Sequence, residues 1–328
     1  MTITELAKLA HVSTSTVSKA FALLPEVSEQ TRSMIFEVAK ANGCFKKFYR
    51  AEHPGLVFAV ICPEFESTYY ASVVSEIQKH LSHYNCEVSV ASTGFDEETE
   101  QRLIEYYCRY NTVDGIVLID GASVIPTKTE IPIATIRSRE GSEGNIYVRI
   151  DLQAAVDSMV ACWAAEGVRA VGFIGDRHTD SRLEIFKTAL SRASLSINEA
   201  YITKGPGRFE ECGYAGALEL MERKALPRAI FCAYDRIAVG AIRAFADKGV
   251  RVPEDVAVFS VDDAPGSRYS TPSITSIGYP MDETCRFVAE ALMAFIKGEP
   301  FEAGLEVKPV PICRESSRIR KDLHPTKE

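Results

Sequence analysis

The chain has 328 residues and a mass of 36.2 kDa, with 46% hydrophobic and 25% charged residues, the make-up of a globular protein of two or three units that buries a full core. No run of about 18 apolar residues occurs, which excludes a membrane-spanning helix, and the first residues lack the basic-then-apolar order of a secretory signal. The net charge of −8 argues against a polyanionic partner for the chain as a whole, yet residues 1–53 hold seven Lys/Arg against five acids, so a head of +2 precedes a body of −10, a division compatible with DNA binding.

In chain order the first signal is a helix start. Thr2-Ile3-Thr4-Glu5 is a capping box, with Thr2 as N-cap and Glu5 reaching back to it, and Leu6, Ala7, Leu9 and Ala10 follow at helical spacing. A short turn at His11-Val12 leads to Ser13, a second N-cap, and to a helix from Thr14 to Phe21. There Val17 and Phe21 face inward, while Thr14, Ser15, Ser18 and Lys19 make a small polar face that suits a DNA groove. A third helix starts at Ser28 and runs from Glu29 to Asn42, with Met34, Ile35 and Val38 inward and Gly43 as its stop. Three short helices with a tight first turn predict a helix-turn-helix head whose second helix enters the major groove. In the linker after Gly43, three basic residues (Lys46, Lys47, Arg50) interleave with Phe45, Phe48 and Tyr49. Either these residues touch phosphates, or the aromatics pack on the head.

From residue 55 short apolar runs alternate with amphipathic stretches. Strands are expected at Leu56–Cys62, Glu87–Ala91, Gly115–Ile119, Ile133–Ile136, Ile146–Ile150, Val171–Gly175, Tyr201–Lys204, Ala229–Ala233 and Val256–Val261. Helices are expected at 67–83, 97–110, 152–166, 181–194, 210–223, 235–248 and 281–297. Strands this apolar, separated by helices, predict two parallel sheets covered on both faces, with a ligand cleft at the strand carboxyl ends. The tail from Arg314 has no apolar heptads, so a tetramerising helix is not expected; a dimer would rest on the 67–83 helix, with Val73, Val74, Ile77 and Leu81.

The residues themselves carry a resemblance. Thr2-Ile3-x-Glu5-Leu6-Ala7-x-Leu9-Ala10-x-Val12-Ser13-x-x-Thr16-Val17-Ser18-Lys19, then Val27-Ser28-x-x-Thr31-Arg32, closely resembles the N-terminal domain of the LacI/GalR repressor family. The likeness continues through Asp114-Gly115-Ile116-Val117, Arg182-Leu183-x-x-Phe186, Ala229-Ile230-Phe231-Cys232-Ala233-x-Asp235, Arg251-Val252-Pro253-Glu254-Asp255-Val256, Asp262-Asp263 and Arg314-x-Ser316, and so covers nearly the whole chain. It implies an all-α helix-turn-helix head followed by an α/β core of two doubly wound parallel-sheet subdomains, periplasmic-binding-protein-like type I. The expected domains are a DNA-binding head at 1–43, a shortened hinge at 44–54 and an effector-binding and dimerisation core at 55–328. Within the core, one subdomain spans about 55–149 plus 281–299 and the other about 150–280 plus 300–318.

The resemblance further implies a cytoplasmic transcription regulator, most simply a repressor, that binds a palindromic operator as a homodimer under control of a small-molecule effector. Thr14 and Ser15 fall on base-reading positions, with Lys19 in place of the usual Arg, and Thr2, Ser18 and the pairs Ser13 with Thr16 and Ser28 with Thr31 complete the DNA-facing set. On the effector side it points to Tyr69 or Tyr70, Arg137, Arg182, Tyr234 and Asp262, an aromatic–guanidinium–carboxylate set that suits a sugar or sugar derivative. The alternative is that Arg182 and Asp262 form a structural ion pair and the tyrosines are packing. Departures are several. Tyr234 stands where Asn usually precedes Asp235, Leu152 where Asn usually follows Asp151, and Arg137-Ser138 where Asp-Arg is usual, while Glu64 and Glu66 add acid. The usual Tyr-x-Pro-Asn and leucine-bearing hinge helix are missing between Gly43 and Gly55.

Enzyme readings find no support: there is no G-x-S-x-G elbow and no Walker loop, and Gly205-Pro206-Gly207 leads to Glu210 rather than a third glycine. Asp262-Asp263 has the form of an acid/base pair, which the resemblance reassigns to ligand binding. The nine cysteines are scattered, odd in number and without a C-x-x-C pair, so they read as buried thiols in a reducing compartment. His80 and His83 lie three apart on a helix and could bind a metal, but without a nearby third ligand they are read as solvated, and no metal or cofactor is expected. The competing class is a small-molecule-binding protein of the same fold with a vestigial head, which retention on heparin at low salt would separate.

Overall fold

The computed structural model describes residues 1–22, 24–48, 55–110, 113–126, 129–137, 144–223 and 226–317. Tyr49 to Pro54 of the linker, Ser138 and the tail from Arg318 lie outside these residues.

The head is built from α1 (Ile3–Leu9), α2 (Thr14–Phe21) and α3 (Glu29–Ala41), followed by a single turn, α4 (Phe45–Phe48). Leu6, Ala7, Ala10, Val17, Ala20, Phe21, Val27, Ile35, Ala39 and Cys44 form its buried centre. Met34, expected inward, is 41% exposed, because Ile35 and Ala39 take the core stripe of α3. Gly43 turns the chain at φ 64° just past the C-cap Asn42, as expected of a helix stop. The aromatic alternative holds for the described part of the linker: Phe45 and Phe48 lie 5.6 and 5.7 Å from the ring of Phe21, and Phe45 meets Phe36 edge-on at 5.0 Å. Lys47 donates to the carbonyl of Met1 at 3.0 Å, so this turn closes over the start of α1.

The chain divides into two compact units, Met1–Arg149 with Met281–Leu305, and Ile150–Pro280 with the segment from Glu306. In the first, β1 (Val57–Cys62), β2 (Glu87–Ser92), β3 (Gly115–Ile119), β4 (Ile133–Ile136), β5 (Ile146–Ile150) and β11 (Gly304–Val307) form a sheet in the order β11-β5-β4-β3-β1-β2. The pairings among β1 to β5 are parallel, with Val60 between Val90 and Val117. Ala59 and Ile61 face α6 (Glu97–Tyr110), while Phe58 and Val60, which alternate with them, are also fully buried, so both faces are covered. Helix α5 (Thr68–Ser82) packs against α11 (Met281–Lys297). Val73, Ile77 and Leu81 are buried within the unit, where α5 packs on both α11 and β2, so the residues expected to make a dimer face are already used, and of the four only Val74 is partly open. The first unit runs on past the expected break after residue 299 because β11 is the sixth strand of its sheet.

The second unit repeats the plan. Its strands β6 (Val171–Gly175), β7 (Ile202–Lys204), β8 (Ala229–Cys232), β9 (Ala257–Val261), β10 (Thr275–Gly278) and β12 (Val310–Ile312) stand in the order β12-β10-β9-β8-β6-β7, all parallel except β12. Both sheets therefore share one doubly wound order, 2-1-3-4-5, with an added edge strand. Helices α7 (Leu152–Ala165) and α8 (Asp180–Arg192) pair on this sheet, as do α9 (Phe209–Glu222) and α10 (Asp235–Asp247). Phe173, Phe186, Phe231, Phe259 and Trp163 make its aromatic centre, all fully buried.

Candidate functional site

Three sites follow from this frame: the polar face of the head and one polar cluster at the carboxyl end of each sheet. In the head, Thr2 accepts from the backbone of Glu5 at 3.3 Å while Glu5 accepts from the backbone of Thr2 at 2.7 Å, so the expected capping box is formed. Ser13 and Ser28 cap α2 and α3, each accepting from the residue three ahead, Thr16 at 3.0 Å and Thr31 at 3.2 Å. The hydroxyls of each pair also meet at 2.8 Å. Val17 and Ala20 are fully buried, which leaves Thr14, Ser15, Ser18 and Lys19 exposed on the remaining faces of α2. Arg32 is drawn inward instead, donating to the carbonyls of Leu24 and Val27 and pairing with Glu29.

At the first sheet's carboxyl end, the topology places the residues after β1, β3 and β4 side by side. Asp120 directly follows β3 and Arg137 directly follows β4, both in the left-handed region at φ 56° and 57°. Arg137 clasps Asp120 with two parallel hydrogen bonds of 2.5 Å, and the Tyr70 hydroxyl donates to the same carboxylate at 2.6 Å. The guanidinium lies 4.7 Å from the centre of the Tyr69 ring. Burial, and then the charge of Asp120, push the Tyr70 phenol well above its ordinary pKa, so it remains a donor at any physiological pH. Tyr69, Tyr70 and Arg137 are thus brought together, around an acid that the sequence reading did not single out.

The second cluster repeats the placement. Asp176 follows β6, Ala233 and Tyr234 follow β8, and Asp262 follows β9 at φ 108°. Arg182, on the first turn of α8, donates to the carbonyl of Ala233 and pairs with Asp262 at 3.1 Å. The Tyr234 hydroxyl donates to Asp176, and Arg208 completes the group 2.9 Å from the same carboxylate. Arg182 and Arg208 approach the Tyr234 ring at 5.7 and 5.9 Å. Asp262 and Asp263 are not an acid/base pair: Asp263 turns to Arg314 at 2.5 Å, so each carboxylate has its own guanidinium. Beneath them Asp235 is 2% exposed and accepts from Ser260, Ser267, Ser276 and the backbone of Ala264. Burial, and then the neighbouring Asp262 charge, push its pKa up to about 6.

Comparison with known proteins extends these observations. A profile of the periplasmic binding protein-like domain matches residues 160–317. The ribose operon repressor of Haemophilus influenzae is 27% identical over 329 residues, covering 96% of this chain and 98% of its own length. The HTH-type transcriptional repressor PurR of Salmonella paratyphi B is 26% identical, covering 96% of each chain. Both likenesses take in the head as well as the core. Along nearly its whole length the chain is similar to LacI/GalR transcription regulators. Among solved structures, a transcriptional regulator CelR–cellobiose complex is 26% identical and covers 97% of this chain and 100% of its own, with a TM-score of 0.67. The lac repressor dimer bound to operator and the anti-inducer ONPF shares the fold at a TM-score of 0.68, with 17% identity over 97% of this chain and 99% of its own.

These similar proteins are transcription regulators and not enzymes. All nine cysteines are free thiols, and among the described residues no helix is long and apolar enough to cross a membrane. Sequence reading missed Asp120, Asp176 and Arg208. The signal that reveals the two acids is positional: each is the first residue after a parallel strand that flanks the point where strand order reverses.

Proposed function

We propose that the chain is a homodimeric repressor of a palindromic operator, released or recruited by a sugar or sugar derivative read by the two strand-end clusters. In this reading Thr14, Ser15 and Lys19 address base edges, while Thr2, Ser13, Thr16, Ser18, Ser28 and Thr31 position the head on phosphates. The effector contacts are Tyr69, Tyr70, Arg137, Arg182, Tyr234 and Asp262, joined by Asp120 and Asp176. The observation that carries the sugar class is the composition of each cluster: an aromatic ring, a guanidinium fixed by a carboxylate, and a phenol that stays protonated. Rings cover C–H faces, and fixed polar groups pair with hydroxyls. Two of the similar proteins bear sugar names, the ribose operon repressor and the cellobiose complex.

The test is a thermal-shift screen of sugars, sugar phosphates and nucleobases. A sugar at 100 times its dissociation constant should add about 2.7 kcal/mol of stability. That gain should disappear in Arg182→Ala and shrink in Tyr70→Phe, which keeps the ring and removes only the donor. A shift produced by nucleobases alone would overturn the sugar reading.

A further inference from the structure

Away from the strand ends, α5 and α11 bring together three metal-ligating side chains that lie far apart in sequence. The ligand atoms of Glu76, His80 and Asp282 all stand within 4.8 Å of one another. Glu76 and His80 are four apart on α5, and so share a face one turn apart. Asp282 is the second residue of α11, where the chain returns from the second unit into the first. The His80 Nε2 is 3.2 Å from Asp282 Oδ1 and 3.9 Å from Glu76 Oε2. An ion bound at about 2.0–2.2 Å in tetrahedral geometry spaces its ligand atoms about 3.3 Å apart, so these separations need only small side-chain adjustment. The His80 side chain is 10% exposed, hence held in place, whereas Asp282 is open to solvent and leaves a route of entry. This corrects the sequence expectation that His80 lacks nearby ligands. His83, its expected companion, lies 6.1 Å away ring to ring and is not one of the three.

A positive charge is already drawn to this spot. The Lys79 ammonium bridges the same two carboxylate oxygens, 2.8 Å from Glu76 and 2.9 Å from Asp282. Its side chain is half exposed on a flexible stem, and exposed ion pairs of this kind contribute only about 0–1 kcal/mol. It is therefore a competitor that a doubly charged ion with direct ligation can displace. We propose that Glu76, His80 and Asp282 form a site for a divalent transition-metal ion of the zinc, cobalt or nickel class. One imidazole with two carboxylates favours these ions over magnesium and calcium, which prefer oxygen alone. With three protein ligands, the ion keeps water in its remaining position.

The test is calorimetric titration of the chelator-treated full chain with Zn²⁺, alongside visible absorption with Co²⁺ and controls with Mg²⁺ and Ca²⁺. One Zn²⁺ per chain is expected, with a Co²⁺ spectrum free of thiolate charge transfer. His80→Gln and the surface change Asp282→Asn should each weaken binding at least tenfold, while Lys79→Met, which removes the competing ammonium, should tighten it. Unchanged affinity in Asp282→Asn, no loss in His80→Gln, or a thiolate band with Co²⁺ would each overturn the assignment.

Discussion

Lys19 stands exposed on α2 opposite the buried Val17 and Ala20, where a long cation can reach a guanine edge. Lys19→Ala should therefore weaken the best operator by about 1–3 kcal/mol and relax discrimination at one base pair per half-site, as read by anisotropy against a set of operator variants. Uniform weakening across all sequences would make Lys19 a phosphate contact instead. Asp235 supports a second expectation, on stability. Its native pKa of about 6 exceeds the ordinary 3.8, so the native state favours the protonated form. A raised pKa contributes stability that is full below the unfolded value and lost as pH climbs through the native one. Relative to the wild type, Asp235→Asn should gain stability between about pH 4 and pH 6, by on the order of 3 kcal/mol, in urea titrations at each pH. A gap between the two proteins that does not vary with pH would refute this. Legibility at this scale was uneven. Arg182 and Asp262 could be picked out because a motif surrounds each, and the structure does bring them together. Asp120 and Asp176 look in sequence like ordinary acids closing apolar runs. Their importance comes from strand order, which no local pattern states.

Among the elements, the parallel strands were readable because burial on both faces demands continuous apolar runs such as Val57–Cys62 and Gly115–Ile119. Strands β10, β11 and β12 were not foreseen. Thr275–Gly278 is short and half polar, Gly304–Val307 contains a glutamate, and Val310–Ile312 has a proline at its centre, tolerated because the strand lies at the sheet edge. The turn α4 has a measurable consequence. Phe45 and Phe48 are partly buried against Phe21 and Phe36, so removing either ring costs less than a fully buried phenylalanine. We expect Phe48→Ala to lower the stability of the head by about 1–3 kcal/mol, seen as faster amide exchange in α2 and α3 with the core unchanged. Unaltered exchange there would mean that the turn rests on the head without supporting it.

For the whole molecule, a dimer rather than a tetramer is expected by light scattering at micromolar concentration. The segment between Gly43 and Gly55 has no leucine to wedge between base pairs. Operator DNA should then bend by less than about 40° in a circular-permutation assay, since a wedge is what kinks the duplex. The effector should shift operator affinity by less than about tenfold, or roughly 1.4 kcal/mol. A sharp kink or a hundredfold response would show that this short segment forms a working hinge. The chain's path has one more outcome, which belongs to its birth on the ribosome. The first unit is completed only by Met281–Leu305, so α5 must wait through the synthesis of the entire second unit before α11 arrives to pack against it. Throughout that interval a greasy helix face is open to other nascent chains. A fragment released after Arg149 should bind hydrophobic dyes and aggregate, adding a peptide of residues 281–305 in trans should reduce both, and chaperones should be recruited to the growing chain in that same window.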